Sequence, residues 1–107
     1  MLPRSQRLNL KTDFKWVASG KKIETKYLTL FIKTGDNQNP RIGIATSSKV
    51  FKKANQRNRA RRLVSQAFQS TYHLLPTTIN IVALPKQGIL EVKSAEVLDE
   101  KIIDQLN

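Results

Sequence analysis

The residues best suited to binding chemistry lie between Lys52 and Phe68, where positively charged side chains are concentrated. Six lysine and arginine residues occupy the eleven positions from Lys52 to Arg62, and no acidic residue lies among them. Ammonium and guanidinium groups attract anionic oxygens, and the planar guanidinium of arginine suits bidentate contact with phosphate. The stretch therefore predicts binding to a polyanion.

The apolar residues of the same stretch predict a helix that begins near Ala54 and ends near Tyr72. They recur at the spacing i, i+3, i+4, i+7, i+8 that forms one face of an amphipathic helix, at positions Ala60, Leu63, Val64, Ala67 and Phe68. Like charges four residues apart, such as Arg57 and Arg61, cost about 0.2–0.5 kcal/mol per pair. Binding of a polyanion relieves this repulsion, so we favour a phosphate-binding surface over a basic face that only improves solubility.

The charge of the whole chain supports the same partner class. The chain has 107 residues, with nineteen lysines and arginines against eight acids, a net charge of +11. Residues 1–90 carry a net charge of +14 and residues 91–107 a net charge of −3. Nucleic acid and anionic membranes are the partners that such a charge favours, and we expect the acidic end to pack behind the binding surface.

The residue types that catalyse reactions or bind metals are sparse. Cysteine is absent, and His73 is the only histidine, with no base or ligand beside it in sequence. Asp99, Glu100 and Asp104 lie at helical spacing next to Lys101, as on a solvated face. We therefore expect no catalytic residue, no metal site and no cofactor bound by the chain itself.

The sequence also bears on location. No apolar run approaches the ~20 residues that a membrane span requires, and the first residues lack the apolar core of a signal peptide. These features predict a cytoplasmic protein.

The order of predicted elements indicates an α+β fold, one sheet with helices packed on it, in a single domain over residues 1–107. We expect residues 1–11 to form a flexible basic arm. The next predicted elements are a helix capped by Thr12 or Asp13 and stopped by Gly20, a strand from Ile23 to Thr34, a hairpin turn at 35–40, and a return strand from Arg41 to Thr46. Gly43 within the return strand indicates a close backbone approach or a bulge. A central strand from Ile79 to Leu84 and a last helix from Ser94 follow, and the last helix is expected to bury Ala95, Leu98, Ile102 and Leu106. The strands on either side of the basic helix are candidates for parallel pairing.

Aromatic residues between basic ones are typical of single-stranded nucleic-acid binders, because every base has a face on which to stack. By residue type alone, Phe14 and Phe31 fit an ordinary core better. Trp16 is left open between the two roles.

Taken together, these segments resemble the protein subunit of bacterial ribonuclease P. The helix that carries Arg57-Asn58-Arg59 is the most specific part of the resemblance, since it matches the signature of the family. The other matching segments occur in the family's order: Arg7-Leu8 with Asp13-Phe14 and Gly20, Arg41-Ile42-Gly43-Ile44, Lys52-Lys53-Ala54 before the signature, Leu75-Pro76, and Ile79 to Leu84.

The resemblance implies a fold and a function. The fold is a two-layer α-β sandwich of the type in domain 2 of ribosomal protein S5, with the order αβββαβα and a left-handed βαβ crossover. The protein would partner a catalytic RNA, in a 1:1 complex, that removes the 5′ leader of precursor tRNA. The RNA would carry the active site and use Mg²⁺, while the protein binds both the leader and the RNA.

The resemblance also implies roles for particular residues. Phe14 and Phe31 fall where the family lines its leader-binding cleft, which reverses the core interpretation. The matching RNA-binding positions are Lys52, Lys53, Arg57, Asn58, Arg59, Arg61 and Arg62, together with the basic positions Arg7, Arg41 and Lys49.

Several positions depart from the family pattern. Ala18 replaces a usual second aromatic, Ser48 replaces a usual lysine, and Ser65-Gln66 replaces a usual Arg-Glu pair. Ala60 and Arg61 replace the signature's usual isoleucine and lysine. The alanine predicts a smaller stacking surface, and the lost charges predict either weaker RNA binding or a differently built RNA partner.

Two other functions fit the composition. One is a small basic RNA-binding protein of ribosomal-protein type without a processing role. The other is a membrane-surface protein, which is disfavoured because the apolar face of the basic helix contains two alanines and no tryptophan.

Overall fold

One mixed sheet of four strands organises the computed structural model, which describes residues 2–107. The strands are β1 (Lys21–Glu24), β2 (Leu28–Thr34), β3 (Arg41–Ile44) and β4 (Ile79–Pro85). Their order is β1-β2-β4-β3, with β4 antiparallel to β2 and parallel to β3. The central position of the apolar strand and its parallel pairing across the basic helix are confirmed. The left-handed sense of the crossover from β3 through the basic helix to β4 is implied only by the family resemblance.

Helices cover the two faces of the sheet unequally. The helices are α1 (Leu10–Ala18), α2 (Ala54–Thr71), α3 (Ser94–Val97) and α4 (Glu100–Leu106), and short 3-10 turns lie at Arg4–Gln6, Tyr72–Leu74 and Gln87–Glu91. The larger apolar core joins one sheet face to α2, α3 and α4. On the opposite face, α1 covers only a smaller apolar cluster around Val17 and Val82. The predicted α+β fold is confirmed, and part of its second face stays uncovered.

The predicted strand from Ile23 to Thr34 is two strands. A turn separates β1 from β2, and the backbone N–H of Leu28 donates to the hydroxyl of Thr25 at 2.9 Å within it. The predicted hairpin at 35–40 is wrong, because β4 lies between β2 and β3. Five of the seven side chains from Ile79 to Pro85 are apolar and fully buried or nearly so. A strand this apolar is most stable inside the sheet, where both of its faces are covered and both of its edges are paired with other strands.

Helix α1 begins earlier than predicted, at Leu10. Its cap is Asn9, whose side-chain oxygen accepts from the backbone N–H of Lys11 at 3.1 Å, in place of the predicted caps Thr12 and Asp13. Gly20 follows the helix, as predicted, but its φ is not positive. Glycine is required for a different reason: a Cβ at this position would collide with the carbonyl oxygen of Ile32 on β2.

We expect Gly20→Ala to lower the free energy of unfolding by about 1–3 kcal/mol, because backbone must move to admit the methyl group. Gly88→Ala is the matched control, since the nearest atom to an added Cβ there is Cδ1 of Tyr27 at 4.0 Å. Gly88→Ala should raise the free energy of unfolding, by no more than about 1 kcal/mol. Urea denaturation measures the free energy of unfolding of both variants. Equal stability of Gly20→Ala and Gly88→Ala would contradict the close approach of Gly20 to the carbonyl of Ile32.

The N-terminal segment is packed against the domain, in contrast to the flexible arm predicted for residues 1–11. Leu2 and Leu8 are buried. The backbone N–H of Leu8 donates to the carbonyl of Ile42 at 3.1 Å, and Arg7 pairs with Ile42 as an isolated parallel bridge. Burial of the two leucines holds the segment along β3; Met1 lies outside the described residues.

Of the two alternatives predicted for Gly43 on β3, the structure shows the close approach. A Cβ at Gly43 would lie 2.6 Å from Cδ2 of Leu10 and 3.3 Å from Cβ of Leu8. The missing side chain lets the start of α1 and the N-terminal segment rest directly on the sheet.

The C-terminal helix is interrupted. Asp99 caps a new helix, and its carboxylate accepts from the backbone N–H of Ile102 at 2.9 Å. The break rotates the buried face, so Val97, Leu98, Ile103 and Leu106 are buried. Ala95 is exposed and Ile102 only half-buried, contrary to the prediction, and Lys93 rather than Ser94 occupies the cap of α3.

Candidate nucleic-acid interface

The basic residues of α2 divide into two groups by what their side chains touch. Arg57 and Arg61 lie on the flank that faces the loop between β3 and α2, and both are half-buried. Asn58, Arg59 and Arg62 are exposed. This division follows from the helical period, which directs residues four apart to the same side.

Arg57 and Arg61 hold the preceding loop against the helix. Arg57 Nη1 donates to the carbonyl oxygens of Phe51 at 2.8 Å and Lys52 at 3.4 Å. Arg61 Nη2 donates to the Thr46 hydroxyl at 3.1 Å, and its Nη1 donates to the side-chain oxygen of Asn58 at 3.1 Å. Both arginines therefore have a structural task besides their positive charge.

The remaining cations of this region project into solvent. Arg59 Nε donates to the carbonyl of Leu90 at 3.2 Å, whereas the side chain of Arg62 makes no hydrogen bond within residues 2–107. Lys49, Lys52 and Lys53, in the loop before the helix, are exposed. Within residues 2–107 these cations form no ion pair, because the salt bridges there join only Lys22 and Lys86 to Glu24. The surface keeps its full positive charge for a partner.

The structure brings one of the other predicted basic residues to this surface. Arg7 and Arg61 line the same apolar cavity of about 160 Å³, with Ser65 of α2 in its wall. Arg41 instead lies on the opposite face of the sheet, because its neighbour Ile42 points into the core beside α2 and side chains alternate along a strand. Arg41 is therefore separated from the basic helix.

Phe14 and Phe31 both lie on the partly uncovered face of the sheet. Both are half-buried, and both pack against the cluster formed by Leu8, Val17 and Val82. In the sheet register Phe31 lies opposite Val82 on one side and Lys22 on the other. With half-buried Leu84, the two rings form a partly exposed apolar surface beside α1, called the aromatic cleft below.

A cluster of charged side chains lies beside this cleft, formed by Lys22 and Glu24 of β1 and by Lys86 after β4. Lys22 Nζ lies 5.9 Å from the centroid of the Phe31 ring, within the range of a cation–π contact. Glu24 accepts from Lys86 at 2.8 Å and Lys22 at 3.3 Å. Lys86, followed by Lys22, lowers the pKa of the Glu24 carboxyl below its ordinary value. The cleft therefore combines aromatic surface with two ammonium groups that share one carboxylate.

The positions that depart from the family pattern lie in different environments. Ala18, where the family resemblance implies a second aromatic, is half-buried on α1. Ser65 is 3% exposed in the wall of the cavity beside Arg61. Ser48 and Gln66 are exposed.

Two further observations concern metals and membranes. Among residues 2–107, no three or more histidine, aspartate or glutamate side chains are grouped so that they could hold a metal ion. Within the same range, no helix combines the length and the apolar character needed to cross a membrane.

Comparison with known proteins decides the family. A family model described as Ribonuclease P matches residues 2–106. The chain belongs to the ribonuclease P protein family. A solved structure of the ribonuclease P protein from Thermotoga maritima is 28% identical, has a TM-score of 0.73, and is matched over 94% of each chain. That from Staphylococcus aureus is 16% identical with a TM-score of 0.74, over 94% of this chain and 91% of that one, and shows the shared fold.

Membership of the ribonuclease P protein family establishes the general function. The chain is an RNA-binding subunit with a role in tRNA processing, and the RNA of ribonuclease P is its partner. The basic surface of α2 and the aromatic cleft are features of the fold whose chemistry suits these roles.

Sequence reasoning missed several residues of the site. Lys22 and Leu84 gave no sign of a shared cleft with Phe31, because they reach it only through strand pairings distant in sequence. The face of Arg41 could have been found, since it alternates with the core residues Ile42 and Ile44 along β3. The partners of Arg57 and Arg61 depend on the path of the loop and carry no sequence pattern.

Proposed function

We propose that this chain binds the 5′ leader of precursor tRNA in the cleft of Phe14 and Phe31, while α2 contacts the RNA of ribonuclease P. The observation that carries the proposal is the separation of two surfaces. The basic helix packs on one face of the sheet, and the half-buried aromatic pair lies on the other. A chain with two such surfaces can bridge a structured RNA and a single strand.

The cleft suits the single-stranded leader for physical reasons. Aromatic rings stack on bases without regard to sequence, which a variable leader requires. Lys22 and Lys86 stand close enough to contact its phosphates once these compete with the carboxylate of Glu24.

The surface of α2 suits the larger RNA. Exposed Lys52, Lys53 and Arg62 provide charge without side-chain partners that need to be displaced, and exposed Arg59 is bound only to the carbonyl of Leu90. Arg57 and Arg61 order the loop that presents Lys49, Lys52 and Lys53.

The remaining parts of the proposal concern the reaction. In keeping with the family resemblance, the RNA carries the active site and its Mg²⁺, and the protein contributes binding and orientation. One cleft and one basic helix per chain favour a 1:1 complex. The family match favours this role over a ribosomal-type binding protein.

Reconstitution tests the proposed function. Addition of the chain to ribonuclease P RNA at low Mg²⁺ concentration is expected to restore cleavage of precursor tRNA at the leader junction, measured by gel electrophoresis of labelled substrate. A polylysine of similar net charge is the control for nonspecific screening of phosphate repulsion. Absence of stimulation with several bacterial RNAs, or equal stimulation by polylysine, would contradict the proposal.

A further inference from the structure

A second groove lies on the opposite flank of α1 from the Phe14–Phe31 cleft. It has a volume of about 320 Å³ and is lined by Asp13, Trp16, Asp36, Asn37, Arg41 and Asn80. At about 100° per residue along the helix, Asp13 and Trp16 point to one side of the sheet-facing residues, and Phe14 and Ala18 point to the other. The Trp16 groove is therefore a separate surface.

The indole of Trp16 is exposed yet fixed in position. Trp16 is 41% exposed. Lys33 Nζ lies 5.3 Å from the centre of its ring and donates to the Ser19 hydroxyl at 2.9 Å. The ring edge rests on Gly35, where an added Cβ would lie 2.9 Å from the indole Cη2. An aromatic surface held in this way loses little conformational freedom when a ligand stacks on it.

The floor of the groove is a closed hydrogen-bond network. Asn80 is 3% exposed, and its amide donates to the side-chain oxygen of Asn37 at 2.9 Å and to the carbonyl of Lys33 at 3.2 Å. The amide of Asn37 donates in turn to the carbonyl of Asn39 at 2.7 Å. These amide groups set the shape of the groove, and they are already hydrogen-bonded within the protein.

The charged groups of the groove, in contrast, have no partner. Within residues 2–107, the carboxylates of Asp13 and Asp36 and the guanidinium of Arg41 make no hydrogen bond or ion pair. Carboxylates accept from N–H groups, and a free guanidinium binds phosphate or stacks on a ring. The groove therefore offers an aromatic face, acceptors and one phosphate-binding group to a single ligand.

We propose that the Trp16 groove binds one unpaired guanosine nucleotide of single-stranded RNA. The base stacks on the indole, Arg41 contacts a flanking phosphate, and the carboxylate of Asp13 or Asp36 accepts from the base. Guanine is selected because its Watson–Crick edge carries neighbouring N–H donors, which a carboxylate accepts together, whereas uracil has one. Recognition of unpaired bases by stacking and by their edges is the usual mode for RNA.

Tryptophan fluorescence tests this site directly, because Trp16 is the only tryptophan of the chain. Emission is excited where tyrosine does not absorb, and the chain is titrated with a short oligouridylate that contains one guanosine. We expect saturable quenching, and binding at least about fivefold weaker for the oligouridylate without guanosine. Absence of saturable quenching would overturn the nucleotide site, and equal affinity for both oligonucleotides would overturn the assignment to guanosine.

Variants separate this groove from the aromatic cleft. Phe14→Ala should keep the quenching of Trp16, and its loss would mean that Trp16 only reports binding in the cleft. Asp13→Asn with Asp36→Asn should remove the preference for guanosine. Trp16→Ala should weaken binding of a labelled guanosine oligonucleotide at least about fivefold by anisotropy, whereas Trp16→Phe should lose less. Unfolding curves exclude a folding defect, and wild-type affinity in folded Trp16→Ala would refute the proposal.

Discussion

Replacement of Lys52, Lys53 and Arg62 together by alanine is expected to weaken binding to ribonuclease P RNA strongly and to flatten its salt dependence. Each phosphate contact that is lost should reduce the slope of log K against log salt by about 0.7–0.9, so three contacts should reduce it by about 2–3. The fold should be preserved, because all three side chains are exposed. Filter binding or anisotropy over a range of salt concentrations measures the slope.

A second triple variant controls for charge alone. Lys21, Lys26 and Lys101 are also exposed but lie outside the proposed interface, and their replacement by alanine removes the same three charges. The control should change the slope much less, because exposed charges farther than about 10 Å from the phosphates are screened at 0.1 M salt. Equal slopes for the two variants would mean that net charge, and not the surface of α2, determines binding.

Arg57 and Arg61 do not give so clean a test, although they belong to the same signature. Arg57→Ala leaves the carbonyl of Phe51 without its 2.8 Å donor, which should cost about 1–3 kcal/mol of stability. A lower affinity of this variant would mix lost phosphate contacts with a displaced loop. Stability and salt slope therefore need to be measured together for these two positions.

The features that could be predicted from sequence are those encoded by neighbouring residues. The period of Ala60, Val64 and Phe68 defined α2 closely, and the apolar run from Ile79 identified the central strand. Gly43 within a strand indicated a close approach or a bulge, and the structure shows the close approach. In each case the relevant residues lie within one element.

The features that could not be predicted depend on residues distant in sequence. The turn at 35–40 is a local pattern, yet β4 enters between the two strands that it connects, because pairing with both buries more apolar surface. The break at Asp99 was missed since one acidic residue in a helical pattern serves equally as a surface residue or a cap. The positions of Phe14 and Phe31 were equally hard to predict, because phenylalanine is common both in a fully buried core and in a half-buried cleft.

Replacement of Phe14 or Phe31 by alanine is expected to weaken binding of leader-bearing precursor tRNA by about 1–3 kcal/mol for each residue. Binding of leaderless tRNA should be unchanged, because the cleft contacts only the leader in the proposed complex. Equilibrium binding of both RNAs to the reconstituted ribonucleoprotein measures the difference.

Packing and stacking must be separated in this test, since both phenylalanines are half-buried against Val17 and Val82. Loss of the ring to alanine should itself reduce stability, whereas Phe14→Leu retains most of the apolar contact and removes only the aromatic face. If Phe14→Leu keeps the fold and loses discrimination between leader-bearing and leaderless tRNA, stacking is responsible. If it keeps that discrimination in full, Phe14 is a packing residue and the leader binds elsewhere.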